Sequence, residues 1–295
     1  MNRRLKDLLA SRIMLTATIF SSLIVFLIAF VLFQKGSLIL TTKPLSELFF
    51  SSSWYPWRGE FGFYPFLVGT FWVTALAMIL AIPVCLLSAI YLAEYASKSV
   101  RDVMKPLLDL LAGIPSVVYG LWGVLAIVPL IRDYLAPLAG VTTTGYSVLA
   151  GGIVLAIMVF PIIISVSEEV FRAVPYEVRE ASLALGATRW QTVKHVVIRK
   201  ALPGVAAAVI LGFSRAFGET MAVLMVVGNV PKVPSSIFDP AYPLPALIAN
   251  NYGEMMSIPL YDSALLLAAL ILLLVVFSFS VVARVILMRI ERGLR

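Results

Sequence analysis

The sequence predicts an all-α integral membrane protein with six transmembrane helices and both ends of the chain in the cytoplasm. Three observations carry that prediction. Apolar residues make up 61% of the 295 positions and charged residues only 13%, against about 45–50% and about 25% in soluble domains. Six runs reach the length of about 20 predominantly apolar residues that a helix needs to cross hydrocarbon. Lys and Arg are divided unequally between the segments joining those runs, which orients the chain.

The first span is 13–33, behind a basic N-terminal segment 1–12 with Arg3, Arg4, Lys6 and Arg12. Its apolar run is longer than the roughly 7–15 residues of a secretory h-region, and no A-x-A site follows, so it reads as a retained helix. The external segment 34–66 holds Trp54-Tyr55-Pro56-Trp57 and Gly59-Glu60-Phe61-Gly62. Aromatic rings and glycine turns suit the headgroup zone, or an outer vestibule where a solute-delivering protein docks. The second span is 67–93. The third, 106–131, contains Gly113-Ile114-Pro115-Ser116, Gly120 and Gly123. These residues either kink the helix toward a cavity or let neighbouring helices approach closely. Asp109 reads as an interfacial counter-ion beside Arg101 and Lys105. The fourth span, 146–171, ends with Glu168-Glu169 on the cytosolic side, and the fifth is 201–228. In the external loop 229–260, prolines 231, 234, 240, 243, 245 and 259 break any continuous helix and leave 244–256 for a short interfacial one. The sixth span, 261–288, precedes a basic tail, 289–295.

Seventeen Lys and Arg fall on the side of the N-terminus, and five (Lys35, Lys43, Arg58, Arg132 and Lys232) on the other. The richer side is the cytoplasm, and the net charge of +7 follows this membrane rule rather than a nucleic-acid footprint. The cytoplasmic segment 172–200 carries six Lys or Arg and the one histidine, His195. A charged stretch of that length projects from the bilayer as a compact element. With one cysteine, Cys85, and one histidine, neither a disulfide framework nor a thiol or zinc site is available. No nucleophile or metal cluster supports a membrane enzyme acting on lipid phosphate. No G-x-x-x-x-G-K-[ST] loop is present to cradle nucleotide.

Arg215 lies 14 residues into the 28-residue fifth span, where a charged side chain costs about 2.5–3.5 kcal/mol on insertion scales. Glu219 is four residues further on, expected on the same helical face, with Ser214, Gly218 and Thr220 making that face small and polar. Two readings stand side by side. The pair is either part of an anion path, with Glu219 keeping the Arg215 site from binding too tightly, or a salt bridge holding two helices together.

Glu180-Ala181-Ser182, then Gly186, then Val196, has the spacing of the EAA loop and resembles ABC importer permeases, with Ser182 in place of the second alanine. The usual pattern continues to a proline where Arg199 stands here, with Pro203 following. Three further segments resemble permeases of the bacterial phosphate-specific transport system. They are Gly59-Glu60-Phe61-Gly62 with Pro65-Phe66 and Gly69-Thr70, Ala112 through Gly120, and Arg215-Ala216-Phe217-Gly218-Glu219-Thr220-Met221-Ala222-Val223 with Gly228-Asn229. Glu219-Thr220-Met221-Ala222 resembles the C-type subunit. The resemblance implies a type I importer permease fold with a five-helix core, 67–288. Glu180, Ala181 and Gly186 would couple to an ATPase, and Arg215, Glu219, Ser214 and Thr220 would lie on the substrate path. It implies a second related permease subunit, two copies of a cytosolic ATPase binding ATP and Mg, an extracytoplasmic phosphate-binding protein and phosphate as cargo. This chain itself would hold no cofactor and hydrolyse no ATP, and it would sit in a bacterial or archaeal cytoplasmic membrane. Another oxyanion, such as sulfate or molybdate, is the nearest alternative cargo, and an anion channel or secondary transporter the next reading.

Overall fold

The computed structural model describes residues 3–253 and 258–293. It is helical apart from a two-stranded hairpin, and six helical stretches are long and apolar enough to cross a membrane. The first, α1 (Arg3–Thr42), runs beyond the expected 13–33 span. Its outer end packs on the last helix, where buried Ile39 donates its amide to Ser263 Oγ at 3.0 Å. The apolar window of α1 is 0% buried in this chain, so it faces lipid or another subunit.

The outer segment folds into α2 (Leu45–Phe50), β1 (Trp54–Tyr55) and β2 (Glu60–Phe61), the strands pairing antiparallel around Gly59. The aromatics divide here. Trp54 packs edge-on against Phe61 and Phe66 and at a tilt against Phe63 and Tyr261, while Tyr55 and Trp57 at the turn are exposed.

α3 (Tyr64–Tyr95) and α6 (Val148–Arg172) lie side by side at the centre. The window of α6 is 67% buried, as its near-continuous apolar sequence requires. Between them come α4 (Lys98–Gly113) and α5 (Ser116–Leu138). This corrects the expected 106–131 span, which straddles both. Pro115 disfavours helical geometry at the residue before it, and Ile114 is extended at ψ 127°. Tyr119 Oη donates to Leu111 O across the break at 2.8 Å. α4 is amphipathic, with Lys98, Arg101, Lys105 and Asp109 lining a charged cleft that also takes Glu168 and Arg172 from α6. Asp109 is therefore outside the span, on the polar face of α4. Val103, Leu107 and Leu110, on the opposite face, are exposed.

The cytoplasmic turn contains α7 (Tyr176–Ala184), and α8 (Arg189–Phe217) follows. α8 is the fifth span, and it stops at Phe217. The chain breaks at Gly218-Glu219-Thr220 before the short α9 (Met221–Val226), so the expected uninterrupted 201–228 helix is corrected to two pieces. α10 (Leu244–Asn251) and α11 (Pro259–Gly293) complete the chain. The interfacial helix expected over 244–256 ends at Asn251, and residues 254–257 lie outside the described residues, as do Leu294 and Arg295.

The outer loop between α9 and α10 folds back over the core. Val148 N donates to Asp239 O at 2.9 Å and Leu149 N to Ile237 O at 2.8 Å, so the loop satisfies the first amides of α6. The loop is held by the Asp239 carboxylate, which accepts from Ser235 N, Ser235 Oγ and Ser236 N. These bonds, with Lys232 nearby, hold its carboxyl below the usual carboxylate range. Because the folded value is depressed, the stabilisation is complete above the unfolded value of about 3.9 and is lost as pH falls through the folded value. Protease protection of this loop should therefore fall in that acid window, and Asp239→Asn should remove the pH-dependent component while weakening the loop at neutral pH.

Candidate functional site

Arg215 occupies the last turn of α8, where the carbonyl end of the helix favours a cation. Glu219 stands just before α9 and accepts from Ala222 N at 3.3 Å, so the amide end of the next helix favours its negative charge. The break thus stabilises each charge separately. Four ion pairs form among the described residues and Arg215 and Glu219 belong to none of them. The expectation of one shared helical face is corrected, and the static salt-bridge reading is not what this structure contains.

Their surroundings also differ. Arg215 is exposed at the surface of this chain, whereas Glu219 is half-buried and lines a small cavity with Thr70, Thr74, Pro243 and Pro245. Thr220 Oγ1 turns back to Gly218 O at 3.3 Å. Ser214 lines a separate apolar cleft with Met78, Ile82, Phe213 and Phe279. The four expected residues share one break in the backbone but not one cavity of this chain. The break is held from the side by α5. A Cβ at Gly120 would lie 2.6 Å from Met225 Sδ and 3.1 Å from Ala222 Cα, so glycine permits this approach. Gly113 has open space around it instead; its place is the end of α4, not a helix contact.

The cytoplasmic loop is a compact helical turn. α7 ends in Gly186, whose φ of +84° is left-handed and costs a side-chain-bearing residue strain. Thr188 and Gln191 form a capping box at the start of α8. Ser182 Oγ lies 2.9 Å from Thr192 Oγ1 and ties α7 to α8, a bond the family's second alanine would lack. Glu180 and Ala181 are exposed. Around them Leu185 is 90%, Tyr176 68% and Trp190 52% exposed. Large apolar side chains so exposed on a charged loop make this a candidate protein-binding surface.

The sequence reading missed what fastens this loop. Arg179 Nη2 donates to Glu94 Oε1 at 2.7 Å and to Phe171 O at 2.8 Å. Its Nη1 donates to Val174 O and its Nε faces both Glu94 oxygens. The two side chains are only 13% and 9% exposed. Arg189 donates to Glu94 O and stacks on Tyr95, its Cζ 4.8 Å from the ring centroid. Glu94 and Arg179 are 85 residues apart; their opposite signs at two cytoplasmic edges were visible, their pairing was not.

A family profile described as binding-protein-dependent transport system inner membrane component matches residues 85–292. The chain is 38% identical over 260 residues to the phosphate transport system permease protein PstC of Xylella fastidiosa (strain Temecula1), covering 83% of this chain and 80% of that protein. It is 40% identical over 240 residues to the probable ABC transporter permease protein YqgH of Bacillus subtilis, covering 81% and 76%. Among solved structures, a bacterial alginate ABC transporter in complex with an alginate-bound periplasmic protein superposes with a TM-score of 0.64 at 15% identity, covering 94% of this chain and 93% of that one. The fold is therefore that of ABC importer permeases. The chain belongs to the binding-protein-dependent transport system inner membrane components and, among them, to the PstC phosphate transport permeases.

Proposed function

We propose that this chain is the permease subunit through which inorganic phosphate crosses the inner membrane in an ATP-driven importer. What supports the reading is its kinship with phosphate permeases joined to one local fact: Arg215 is exposed within a span and forms no ion pair among the described residues. A guanidinium is too costly to leave against lipid, so it faces water or a neighbouring subunit. Its planar fork matches two oxygens of a tetrahedral oxyanion. A second, related permease subunit facing α8 would close the path around it. Glu219, beyond the break, weakens net attraction for an anion and so favours release. Ser214 and Thr220 are neighbours of this pair in sequence, but Ser214 lines the apolar cleft beside Phe213 and the Thr220 hydroxyl turns back to Gly218 O.

The driving chemistry belongs to another chain. Two copies of a cytosolic ATPase bind ATP and Mg, and each receives one permease's coupling surface, here Glu180, Ala181 and Gly186 with the exposed apolar residues around them. Closing of the ATPase pair shifts these loops, and the spans exchange outward for inward access. A soluble phosphate-binding protein delivers the ion to the outer segments 34–66 and 229–260. Lipid surrounds the outer helices, and nucleic acid has no part.

Two outcomes are expected. In vesicles holding the full complex, Arg215→Gln should lower ATP-dependent uptake of radiolabelled phosphate by at least about tenfold, a loss of about 1.4 kcal/mol, while the complex still assembles. Collapse of the assembly would instead make Arg215 structural, and uptake of sulfate or molybdate but not phosphate by wild type would reassign the cargo. Glu180→Lys and Gly186→Trp should abolish uptake in complexes that insert normally; wild-type uptake by both would remove the loop from coupling.

A further inference from the structure

Both halves of the coupling loop are fastened to α3, a helix to which they are not adjacent in sequence. Arg179 comes from α7 and Arg189 from the start of α8, and they converge on Glu94 and Tyr95, the last residues of α3. The fastening is dense. Arg179 uses all three nitrogens on the Glu94 carboxylate and on carbonyls at the end of α6. It is also largely dry, which raises the cost of breaking it. The end of α3 is an unusual place for an anchor, because Tyr91–Tyr95 is wound in wide turns closed by i→i+5 bonds, with Ala96 N donating to Tyr91 O at 2.8 Å. Such turns are weak points in a helix and recur at functional sites. The same winding recurs at Gly123–Ile127 and Ile131–Leu135 in α5 and at Val193–Val197, one turn into α8. The loop is therefore bonded to one wide-turn stretch at the end of α3 and followed by another inside α8.

We infer that the Glu94–Arg179 pair is the positioning contact that carries movement of the coupling loop into α3. This rests on the importer reading and adds to it. The loop and the end of α3 move as one body, and α3, which packs along α6 and lines the Glu219 cavity through Thr70 and Thr74, delivers the displacement to the break beside Arg215.

The test uses the complete complex in vesicles, with this chain in a Cys85→Ala background and spin labels at Ser97→Cys and Glu177→Cys, both exposed positions. In the otherwise unaltered complex, the distance between labels should stay fixed between nucleotide-free and ATP-trapped states. In Arg179→Gln the distance should change between those states. Phosphate imported per ATP hydrolysed should then fall by about tenfold, with ATPase activity retained. Glu94→Gln removes the charge pairing while leaving the carbonyl acceptors of Arg179, and should show a smaller loss in the same direction. An unchanged ratio of phosphate to ATP in both variants overturns the inference, and failure of both to assemble makes the pair structural. A wild-type complex that hydrolyses ATP without moving phosphate would instead defeat the cargo assignment, leaving the label distances to decide the mechanical contact.

Discussion

In hydrocarbon, an unpaired backbone amide or carbonyl costs several kcal/mol, and nothing in lipid can supply the missing partner. The architecture of this protein follows from how that constraint is met wherever a helix is interrupted. At the break between α4 and α5, Tyr119 returns its hydroxyl to Leu111 O. The first amides of α6 receive carbonyls from the folded-back loop at Ile237 and Asp239. Leu244 N, the first amide of α10, donates to Thr70 Oγ1 at 2.8 Å. The α4–α5 break is closed within eight residues, whereas the starts of α6 and α10 are tied to elements distant in sequence and so help fix the tertiary arrangement.

The break after Phe217 is the one that carries charge. A continuous helix would place Arg215 and Glu219 one turn apart and favour their pairing. Ending the helix between them gives each its own backbone dipole, and neither needs the other to be tolerated at depth. The interruption therefore sets the electrostatics of the two side chains as well as the course of the backbone.

The cytoplasmic face has the opposite problem, since force must be transmitted through a surface in water, where exposed ion pairs are weak. The loop uses a buried pair with Arg179 at its centre, backed by the Arg189–Tyr95 stack, and leaves the exposed side apolar. Ser182 and Thr192 close the turn internally. A rigid element with one sticky face and one fastened face is suited to moving as a unit.

Much was legible in the sequence because the bilayer imposes simple rules. Length and apolarity marked six spans, Lys and Arg counts gave the expected orientation, and a charged 29-residue interval marked the segment that folds into α7 and the start of α8. Gly186 was marked by its spacing from Glu180-Ala181-Ser182, and glycine permits the left-handed backbone found there. The tertiary structure decided where spans begin and break. Pro115 signalled a kink, yet only the packing of α4 across the end of α6 shows that the preceding segment is a separate amphipathic helix. The expected Arg215–Glu219 face failed because a four-residue spacing implies proximity only if the helix continues, and Gly218 with its neighbours lets it stop. Glu94 escaped notice because a pairing between residues 85 positions apart is a fact of folding in three dimensions. Periodicity and composition report what each segment faces; only the assembled chain shows which segment it meets.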